Sequence, residues 1–238
     1  MMEKYEAARL LKAIVGLKVS ADETYSSPLP RFEDDDDSIP CPNETESKLL
    51  NVYLCRKILD EATCLKFKQL AIEHTDEFGW CTKRHASFMA TDFSIRDAPK
   101  LWEYIKPIIQ HRVLGTVRSL FFPEAGEDLV MGVEDLFCIK YDCAPGGQRN
   151  LKPHRDCSLI SFSILINSPS EFTGGGTEFT AMEKTVAGGK GDLVLHSGQL
   201  RHAGYPIESG ERWILVGFVK CNNTGISQKF LERVQRDP

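Results

Sequence analysis

The sequence predicts a mainly β protein with helices packed outside its β core. Residues 134–220 contain five short β-branched and aromatic runs separated by glycine turns: EDLFCIKY, SLISFSILI, GGTEFTAM, GDLVLHSG and RWILVGFVK. Closely spaced strands with turn signals are typical of a β sandwich or barrel. Residues 48–118 show helical periodicity instead. The chain has 238 residues, which is long enough for one sizeable domain with a hydrophobic core.

Two helices are predicted ahead of the β region. The first lies within DEATCLKFKQLAIEHTDEFG and ends at Gly79. We expect its buried face to carry four apolar residues, Ala62, Leu65, Leu70 and Ala71. The second lies within DAPKLWEYIKPIIQHRVLGTVRSLFF and should begin with Asp97 as its N-cap and Pro99 in its first turn. Pro107 should kink or interrupt this second helix.

The N-terminal residues 1–19 are predicted to form an amphipathic helix. Its apolar side would carry Leu10, Leu11, Ile14 and Val15. Lys12 interrupts the apolar run, and Glu3 and Glu6 are not typical of a secretory signal or a mitochondrial presequence. We therefore expect no targeting segment here.

Residues 20–47 have the composition of an acidic linker. They contain four prolines and the run EDDDD, and such a segment buries too little apolar surface to offset the entropy of ordering. The expected domain then spans 48–238, with its helices in 48–118 and its β core in 134–220. We favour the role of a solvated tether for this linker over that of a partner-binding tail.

Charge and cysteine usage limit the partners and the location of the protein. Nine acidic residues and one base lie between Asp22 and Glu46, so this segment has a net charge of −8. The whole chain has a net charge of −5, so the remainder has +3. We expect no nucleic-acid partner. No apolar run approaches the roughly 20 residues of a membrane span. Eight scattered cysteines without a C-x-x-C pair predict reduced thiols in an intracellular protein, with the cytoplasm as its expected compartment.

Polar residues interrupt the β region at two points. The stretch LKPHRDCSLISFSILIN places His154 and Asp156 two residues apart at the mouth of a strand, where alternation directs both to one face. His202 follows Asp156 by 46 residues, and Arg212 opens a strand ten residues later. Two histidines and one carboxylate on one face of an octahedral ion form the facial triad of non-haem Fe(II) oxygenases. An arginine in the same cavity could bind a dicarboxylate through two parallel contacts.

These residues resemble the motif of the Fe(II)- and 2-oxoglutarate-dependent dioxygenases, whose core is a double-stranded β-helix, or jelly roll. Three stretches resemble the catalytic domain shared by procollagen lysyl hydroxylases and prolyl 4-hydroxylases. They have the forms L-x-P-H-x-D-x-S, F-x-G-G-G-x-x-F and G-x-L-x-H-x-G-x-P-x-x-x-G-x-R-W-I. The resemblance covers about residues 134–220, with weaker support from RHASFMATDFSI upstream.

The resemblance implies that His154, Asp156 and His202 bind Fe(II), with 2-oxoglutarate and O2 as cosubstrates and ascorbate as a reductant. It implies that Arg212 binds the distal carboxylate of 2-oxoglutarate and that Tyr141 hydrogen-bonds the same cosubstrate. The implied reaction hydroxylates an unactivated C–H bond, on a prolyl or lysyl side chain of a protein, and produces succinate and CO2. Oxidation of a free amino acid or another small metabolite is the alternative reaction. A catalytically silent β-helix scaffold is the alternative outside the enzymes.

Several positions leave choices open. His196 also ends a strand and competes with His202 as the third ligand, although the resemblance favours His202. Arg212 stands where many prolyl 4-hydroxylases have lysine, which favours the lysyl hydroxylase branch. Leu165 stands where some prolyl hydroxylases have a tyrosine directed at the cosubstrate. Tyr141 is alternatively an ordinary core tyrosine.

Other polar residues and glycines receive weaker predictions. Four residues are candidates to support the metal ligands, without a ranking among them: Ser158, Ser161, Ser163 and Asn167. The glycines at 174–176 should mark a bulge or tight bend at the rim of the barrel, because a strand and not a helix follows them. Three further histidines are expected to be exposed or to cap helices: His74, His85 and His111.

Overall fold

The computed structural model describes residues 20–28, 42–84, 90–222 and 224–236. Its strands, in chain order, are β1 (Glu23–Ser26), β2 (Asn51–Cys55), β3 (Asp92–Ser94), β4 (Val130–Asp142), β5 (Leu151–His154), β6 (Ile160–Leu165), β7 (Phe172–Gly174), β8 (Thr177–Phe179), β9 (Lys184–Val186), β10 (Leu193–Ser197), β11 (His202–Gly204) and β12 (Ile207–Asn222). Its α-helices are α1 (Glu44–Lys48), α2 (Glu61–Phe78), α3 (Pro99–Ile108), α4 (Leu114–Phe121) and α5 (Gln228–Gln235).

The strands form two antiparallel sheets. The larger has the order β1-β2-β10-β6-β12-β4-β3, with β7 paired to the first part of β12. The smaller has the order β5-β11-β8-β9. This arrangement confirms the predicted fold class, a mainly β core with flanking helices, and all five strand runs identified in the sequence are strands.

The long strands β4 and β12 divide the interior into two regions. Along β12, Trp213 and Leu215 belong to the main core, which also contains the buried residues of the helices. Arg212, Ile214 and Val216 alternate with them and line a cavity on the other face of the sheet. Period-two alternation in β12 therefore packs the helices on one face and directs one buried charge into the cavity on the other.

Helix α2 lies within the predicted stretch and ends as predicted, but half of its predicted buried face is wrong. Asp60 caps it by accepting a 2.8 Å hydrogen bond from the Thr63 N–H, and Gly79 follows its last residue with a φ of 78°. Of the expected inward residues, Ala62 and Leu65 are exposed, Leu65 by 58%, whereas Leu70 and Ala71 are buried as predicted. The buried face carries Thr63, Cys64, Phe67, Leu70 and Ala71. The prediction missed Phe67, whose large ring sets the rotation of the helix.

The second predicted helix is interrupted, as expected from Pro107. Helix α3 contains this proline near its end, a single π turn occupies Ile109–Val113, and α4 continues from Leu114. Because proline has no N–H to donate, the regular i to i−4 ladder cannot continue through it. Asp97 is not the N-cap. It ends a short 3-10 turn, and Ala98 occupies the cap position without a side-chain hydrogen bond.

The linker prediction for residues 20–47 is wrong at both ends. β1 pairs along its whole length with β2, and Asp22 accepts a 2.7 Å hydrogen bond from the Arg56 N–H. α1 begins with a capping box. The acidic run dominates the average composition of residues 20–47, and this average conceals the short strand and helix at its two ends. Residues 29–41, and the helix predicted within 1–19, lie outside the described residues.

Strands also occur within the region predicted to be helical, 48–118. β2 lies between β1 and β10, and β3 forms the far edge of the larger sheet. The run VYLC in β2 is buried at every residue, and continuous burial removes the alternation that identifies a half-buried strand. Within the described ranges, no helix has the length and apolarity required to cross a membrane.

Glu46 connects α1 to the C-terminal helix α5. Its carboxylate is buried and accepts hydrogen bonds from the Asn43 N–H at 3.0 Å, the Ser227 N–H at 2.9 Å and the Ser227 hydroxyl at 2.6 Å. Burial raises the pKa of Glu46, but the hydrogen bonds outweigh burial and the pKa is lowered overall.

We expect Glu46→Ala to lower the free energy of unfolding by about 2–3 kcal/mol, because three hydrogen-bond donors lose a charged acceptor. Glu44→Ala, on the same helix, is the control. Its exposed pair with Lys48 should contribute only about 0.3–0.5 kcal/mol. Because the folded-state pKa of Glu46 is lowered, its contribution is present above the ordinary glutamate pKa and is lost on acidification. Urea unfolding should therefore show the difference between wild type and Glu46→Ala shrinking below about pH 4. Equal losses for the two variants would contradict this role of Glu46.

Candidate metal centre

A cavity of about 360 Å³ lies between the two sheets. Its apolar wall includes Phe137 and Ile139 of β4, and Ile214 and Val216 of β12. All five residues that the sequence singled out for chemistry also line it: Tyr141, His154, Asp156, His202 and Arg212. The structure therefore brings together side chains that are up to 71 residues apart in the sequence.

The antiparallel pairing of β5 with β11 places the two histidines side by side. His202 is directly opposite His154 in this register, and the centres of their rings are 4.4 Å apart. Asp156 lies beyond the end of β5, so strand alternation is not what directs it to the histidines. The Asp156 N–H instead donates a 2.9 Å hydrogen bond to the Gly198 carbonyl, in the turn before β11.

The three side chains converge on one small region. One carboxylate oxygen of Asp156 lies 3.4 Å from Nε2 of His154, and the other lies 3.5 Å from Nε2 of His202. One candidate ligand atom from each residue lies within 4.8 Å of the other two. Among the described residues this is the one group of three or more histidine, cysteine or acidic side chains close enough to share an ion.

Both imidazoles are oriented by backbone carbonyls. Nδ1 of His154 lies 2.8 Å from the Lys152 carbonyl oxygen, and Nδ1 of His202 lies 2.9 Å from the Leu200 carbonyl oxygen. A carbonyl can only accept, so in each neutral imidazole Nδ1 carries the proton and the lone pair is on Nε2, which faces Asp156. This is the tautomer that a metal-binding histidine requires.

Asp156 is a buried carboxylate that remains charged. Burial raises its pKa, but His202, His154 and the hydrogen bond from the Ser161 hydroxyl outweigh burial and hold the pKa well below its usual range. Burial lowers the pKa of His154, but the adjacent Asp156 raises this pKa by a larger amount, so the net shift is upward. Burial dominates at His202, whose pKa is lowered. The site therefore retains a fixed negative charge.

The four polar residues that the sequence left unranked have separate positions. Ser161 contacts the Asp156 carboxylate, and Ser158 contacts the Ser161 hydroxyl at 2.7 Å. Ser163 lines the cavity. Asn167 is elsewhere: its amide donates to the Glu211 carbonyl and accepts from the Trp213 N–H, both at 2.8 Å. Asn167 therefore fixes β12 on either side of Arg212.

His196, the rival third ligand, lines the cavity but lies outside the group of three. Its ring centre is 4.4 Å from that of His202 and 5.0 Å from that of Phe179, in edge-to-face contacts. Its Nδ1 lies 2.9 Å from the Ser197 carbonyl oxygen. Burial, together with the neighbouring His202, lowers the pKa of His196 to about 3. The ring is therefore neutral at physiological pH and packs behind the site.

Arg212 is buried at the other end of the cavity, opposite Tyr141 in the β12–β4 register. Its guanidinium carbon lies 5.4 Å from the centre of the tyrosine ring. No carboxylate within the described part of the chain forms an ion pair with Arg212. Burial lowers its pKa, which the neighbouring Tyr141 only partly offsets. A buried cation without a carboxylate partner is costly, and an anion in the cavity would offset that cost.

Two glycines make room for this end of the cavity. A Cβ on Gly175 would lie 2.9 Å from Cδ of Arg212, and Gly175 has a φ of +74°. The predicted bend at residues 174–176 is confirmed, since all three glycines have positive φ. A Cβ on Gly204 would lie 2.5 Å from the Tyr141 hydroxyl. The role of Gly204 was missed, although the glycine two residues after His202 was visible in the motif.

Arg84 is a further cavity residue that the sequence did not identify. Its Nε lies 3.2 Å from Asp92 and its Nη1 lies 3.1 Å from Asp135, and the guanidinium stacks 4.5 Å from the centre of the Phe137 ring. The only signal was its place at the start of the upstream stretch RHASFMATDFSI. His74 and His111 are both partly exposed and neither lines the cavity, while His85 lies outside the described residues.

Known proteins are similar to this chain both in sequence and in structure. No family model matches it. The human procollagen-lysine,2-oxoglutarate 5-dioxygenase 2 is 37% identical over 87 residues, which are 35% of this chain and 12% of that protein. The procollagen lysyl hydroxylase and glycosyltransferase of Acanthamoeba polyphaga mimivirus is 35% identical over 124 residues, which are 50% of this chain and 13% of that protein. The chain thus spans about an eighth of the length of either relative.

Two solved structures have a similar backbone. The viral collagen prolyl hydroxylase of Paramecium Bursaria Chlorella virus-1 matches with a TM-score of 0.54 at 17% identity, over 78% of this chain and 96% of that one. An oxidoreductase of the 2OG-Fe(II) oxygenase family from Burkholderia pseudomallei matches with a TM-score of 0.51 at 12% identity, over 71% and 84%. The fold is that of the 2-oxoglutarate–Fe(II) oxygenases. The double-stranded β-helix expected from the motifs is therefore confirmed for this oxygenase fold, as is the resemblance to the procollagen hydroxylases.

Proposed function

We propose that this chain is an Fe(II)- and 2-oxoglutarate-dependent dioxygenase that hydroxylates a lysyl or prolyl side chain of a protein. One observation carries the proposal: two imidazoles and a carboxylate converge at one end of a cavity whose other end holds a buried arginine, and no carboxylate among the described residues pairs with it. A surface ion pair would explain the first part alone, and a strand-edge base would explain the second. Their presence in one cavity supports a metal and an anionic cosubstrate bound together.

The donor set fits iron. Two neutral imidazoles and one carboxylate suit Fe(II), and three ligands leave positions open for cosubstrates. Each imidazole directs Nε2 into the site because its Nδ1 is held by a carbonyl, and the Ser161 hydroxyl orients the carboxylate. Iron bound by His154, Asp156 and His202 would supply the activation of O2 and the oxidative chemistry.

The remaining residues would bind and orient the organic molecules. Arg212 is placed to grip the distal carboxylate of 2-oxoglutarate, and the Tyr141 hydroxyl lies beside it as a hydrogen-bond donor. The apolar walls of β4 and β12 would keep water away from this ion pair, which strengthens it. Ascorbate as a reductant, and an intracellular location, belong to the same proposal. The location is supported by the seven cysteines in the described ranges, which are all free thiols.

The proposed substrate rests on the relatives. The two curated relatives are named for procollagen lysine or lysyl hydroxylation. Arg212 in place of the lysine of many prolyl 4-hydroxylases supports a lysyl side chain over a prolyl one. A protein substrate would present a single side chain to the cavity and leave its backbone outside.

We expect His154→Ala, Asp156→Ala and His202→Ala each to abolish Fe(II)-dependent formation of succinate from 2-oxoglutarate, because two ligands hold the ion too weakly. Each variant should keep its circular dichroism spectrum, since the β core does not need the ion. His196→Ala is the control and should retain bound iron, measured by elemental analysis after desalting. If iron were lost from His196→Ala and kept by His202→Ala, the third ligand would be His196.

We expect Arg212→Ala to weaken 2-oxoglutarate binding by at least about a hundredfold while the iron content stays constant. Removing one partner of a buried ion pair costs about 3–5 kcal/mol, which is roughly two to four orders of magnitude in affinity. Arg212→Lys should be milder, because it keeps the charge but not the planar fork. The measurement is an anaerobic titration of the Fe(II)–2-oxoglutarate charge-transfer absorbance. Wild-type affinity in Arg212→Ala would exclude the arginine from the cosubstrate site.

The substrate class is tested with peptides that contain one lysine or one proline, alongside the free amino acids. We expect a lysyl peptide to gain one oxygen atom by mass spectrometry and free lysine to remain unchanged. Asp156→Ala, which lacks a metal ligand, is the control for oxidation outside the site. Conversion of a free amino acid without conversion of any peptide would favour the small-metabolite reaction instead.

A further inference from the structure

Two loops that lie against each other set the positions of Asp156 and His202. One loop follows β5 and contains Asp156, and the other joins β10 to β11 and leads into His202. Besides the bond from Asp156 to Gly198, the Gly198 N–H donates a 3.0 Å hydrogen bond to the Leu159 carbonyl. A Cβ on Gly198 would lie 2.3 Å from the Ser158 carbonyl oxygen and 3.1 Å from Cβ of Asp156. The two loops can approach this closely only because residue 198 has no side chain.

Two side chains cross-link these loops without being ligands. The Gln199 amide donates to the Ser158 carbonyl at 2.8 Å and to the Asp156 carbonyl at 3.3 Å. In the opposite direction, Nε of Arg155 donates to the Gln199 carbonyl at 3.0 Å. Each loop therefore sends one side chain to the backbone of the other. Gln199 also precedes Leu200, whose carbonyl orients the His202 ring.

The C-terminal helix α5 supports this cross-link from outside. Nη2 of Arg155 donates to the Val234 carbonyl at 3.4 Å, and the Gln235 amide donates to the side-chain oxygen of Gln199. Phe230 and Val234 are buried in the main core. The first end of α5 is fixed separately, through the bonds of Ser227 to Glu46 described above. The cation of Arg155 at the C-terminal end of the helix also interacts favourably with the helix dipole.

We infer that Gln199 and Arg155 are positioning residues that set the spacing between Asp156 and His202, with α5 as their support. This inference rests on the proposed function, in that these side chains bind a metal ion. The Asp156 carboxylate on one loop and the His202 imidazole that follows the other can bind the same ion tightly only if the two loops keep a fixed separation. The residues that orient metal ligands typically contribute about tenfold to a hundredfold in metal affinity.

The test is a titration of the full chain with Co(II), followed by its visible d–d absorbance, in Gln199→Met and Arg155→Met. Each substitution keeps much of the side-chain length and removes the hydrogen bonds between the loops. We expect Co(II) to bind at least about tenfold more weakly in both variants, with a changed d–d spectrum. Arg155→Lys, which can still donate to one carbonyl, should recover part of the affinity.

Arg118→Met is the matched control. Arg118 also donates to two backbone carbonyls, those of Ala125 and Gly126, but it lies outside the cavity. It should lose a similar amount of thermal stability and keep wild-type Co(II) affinity and spectrum. Wild-type affinity in both Gln199→Met and Arg155→Met would overturn the positioning role and leave the proposed function intact. If His154→Ala and His202→Ala bound Co(II) with wild-type affinity, the positioning role and the proposed function would both be overturned.

Discussion

The arrangement of the site depends on the burial of one carboxylate. Removing a charged group from water costs several kcal/mol, and this cost is offset only where polar partners replace the lost water. Asp156 has the Ser161 hydroxyl on one side and two imidazole nitrogens within 3.5 Å on the other. Each of those partners comes from a different strand, so the carboxylate is stabilised only when β5, β6 and β11 have assembled correctly. Folding and the formation of the site are thus one process.

The two ends of the cavity are built by different sheets. The smaller sheet supplies His154 and His202, because their strands pair in a register that sets them opposite each other. The larger sheet supplies Tyr141 and Arg212 in the same manner, one from β4 and one from β12. Antiparallel register therefore places both pairs of residues. The distance between the two sheets determines the length of a ligand that could contact both pairs. This division agrees with the proposal that a metal ion binds at one end and a carboxylate of the cosubstrate at the other.

The sequence predicts the strands and the chemistry better than it predicts how they meet. Apolar runs and glycine turns locate the strands of the β region, and the spacing of polar residues identifies the cavity. Strand alternation correctly suggested that His154 and Asp156 converge. The actual cause is a turn after β5 in which the Asp156 N–H donates a hydrogen bond to the Gly198 carbonyl. Local patterns could not reveal this, since the contact joins residues 42 apart. The same holds for Gly204 and Gln199, whose roles depend on partners from distant strands.

Short elements with mixed composition were the other source of error. β1 was hidden inside an acidic segment, and its pairing depends on β2, which itself has no alternation to reveal it. For α2 the prediction was correct at Leu70 and Ala71 but wrong in the first two turns, where Phe67 is buried in place of Leu65. Helical phase is decided by which side chain best fills the space beneath, and Phe67 is completely buried there.

Arg212 separates a binding site from an inert scaffold. A guanidinium surrounded by Tyr141, Ile214 and Gly175 is costly to bury, and apolar replacements for buried charges are often neutral or stabilising. A protein without a ligand for this cavity would therefore be at least as stable with a methionine or leucine at position 212. A ligand that binds only the folded state changes this balance, because it adds about 2.7 kcal/mol of stability at a hundredfold excess over its dissociation constant. The buried charge of Arg212 therefore supports the proposal that an anion binds in this cavity.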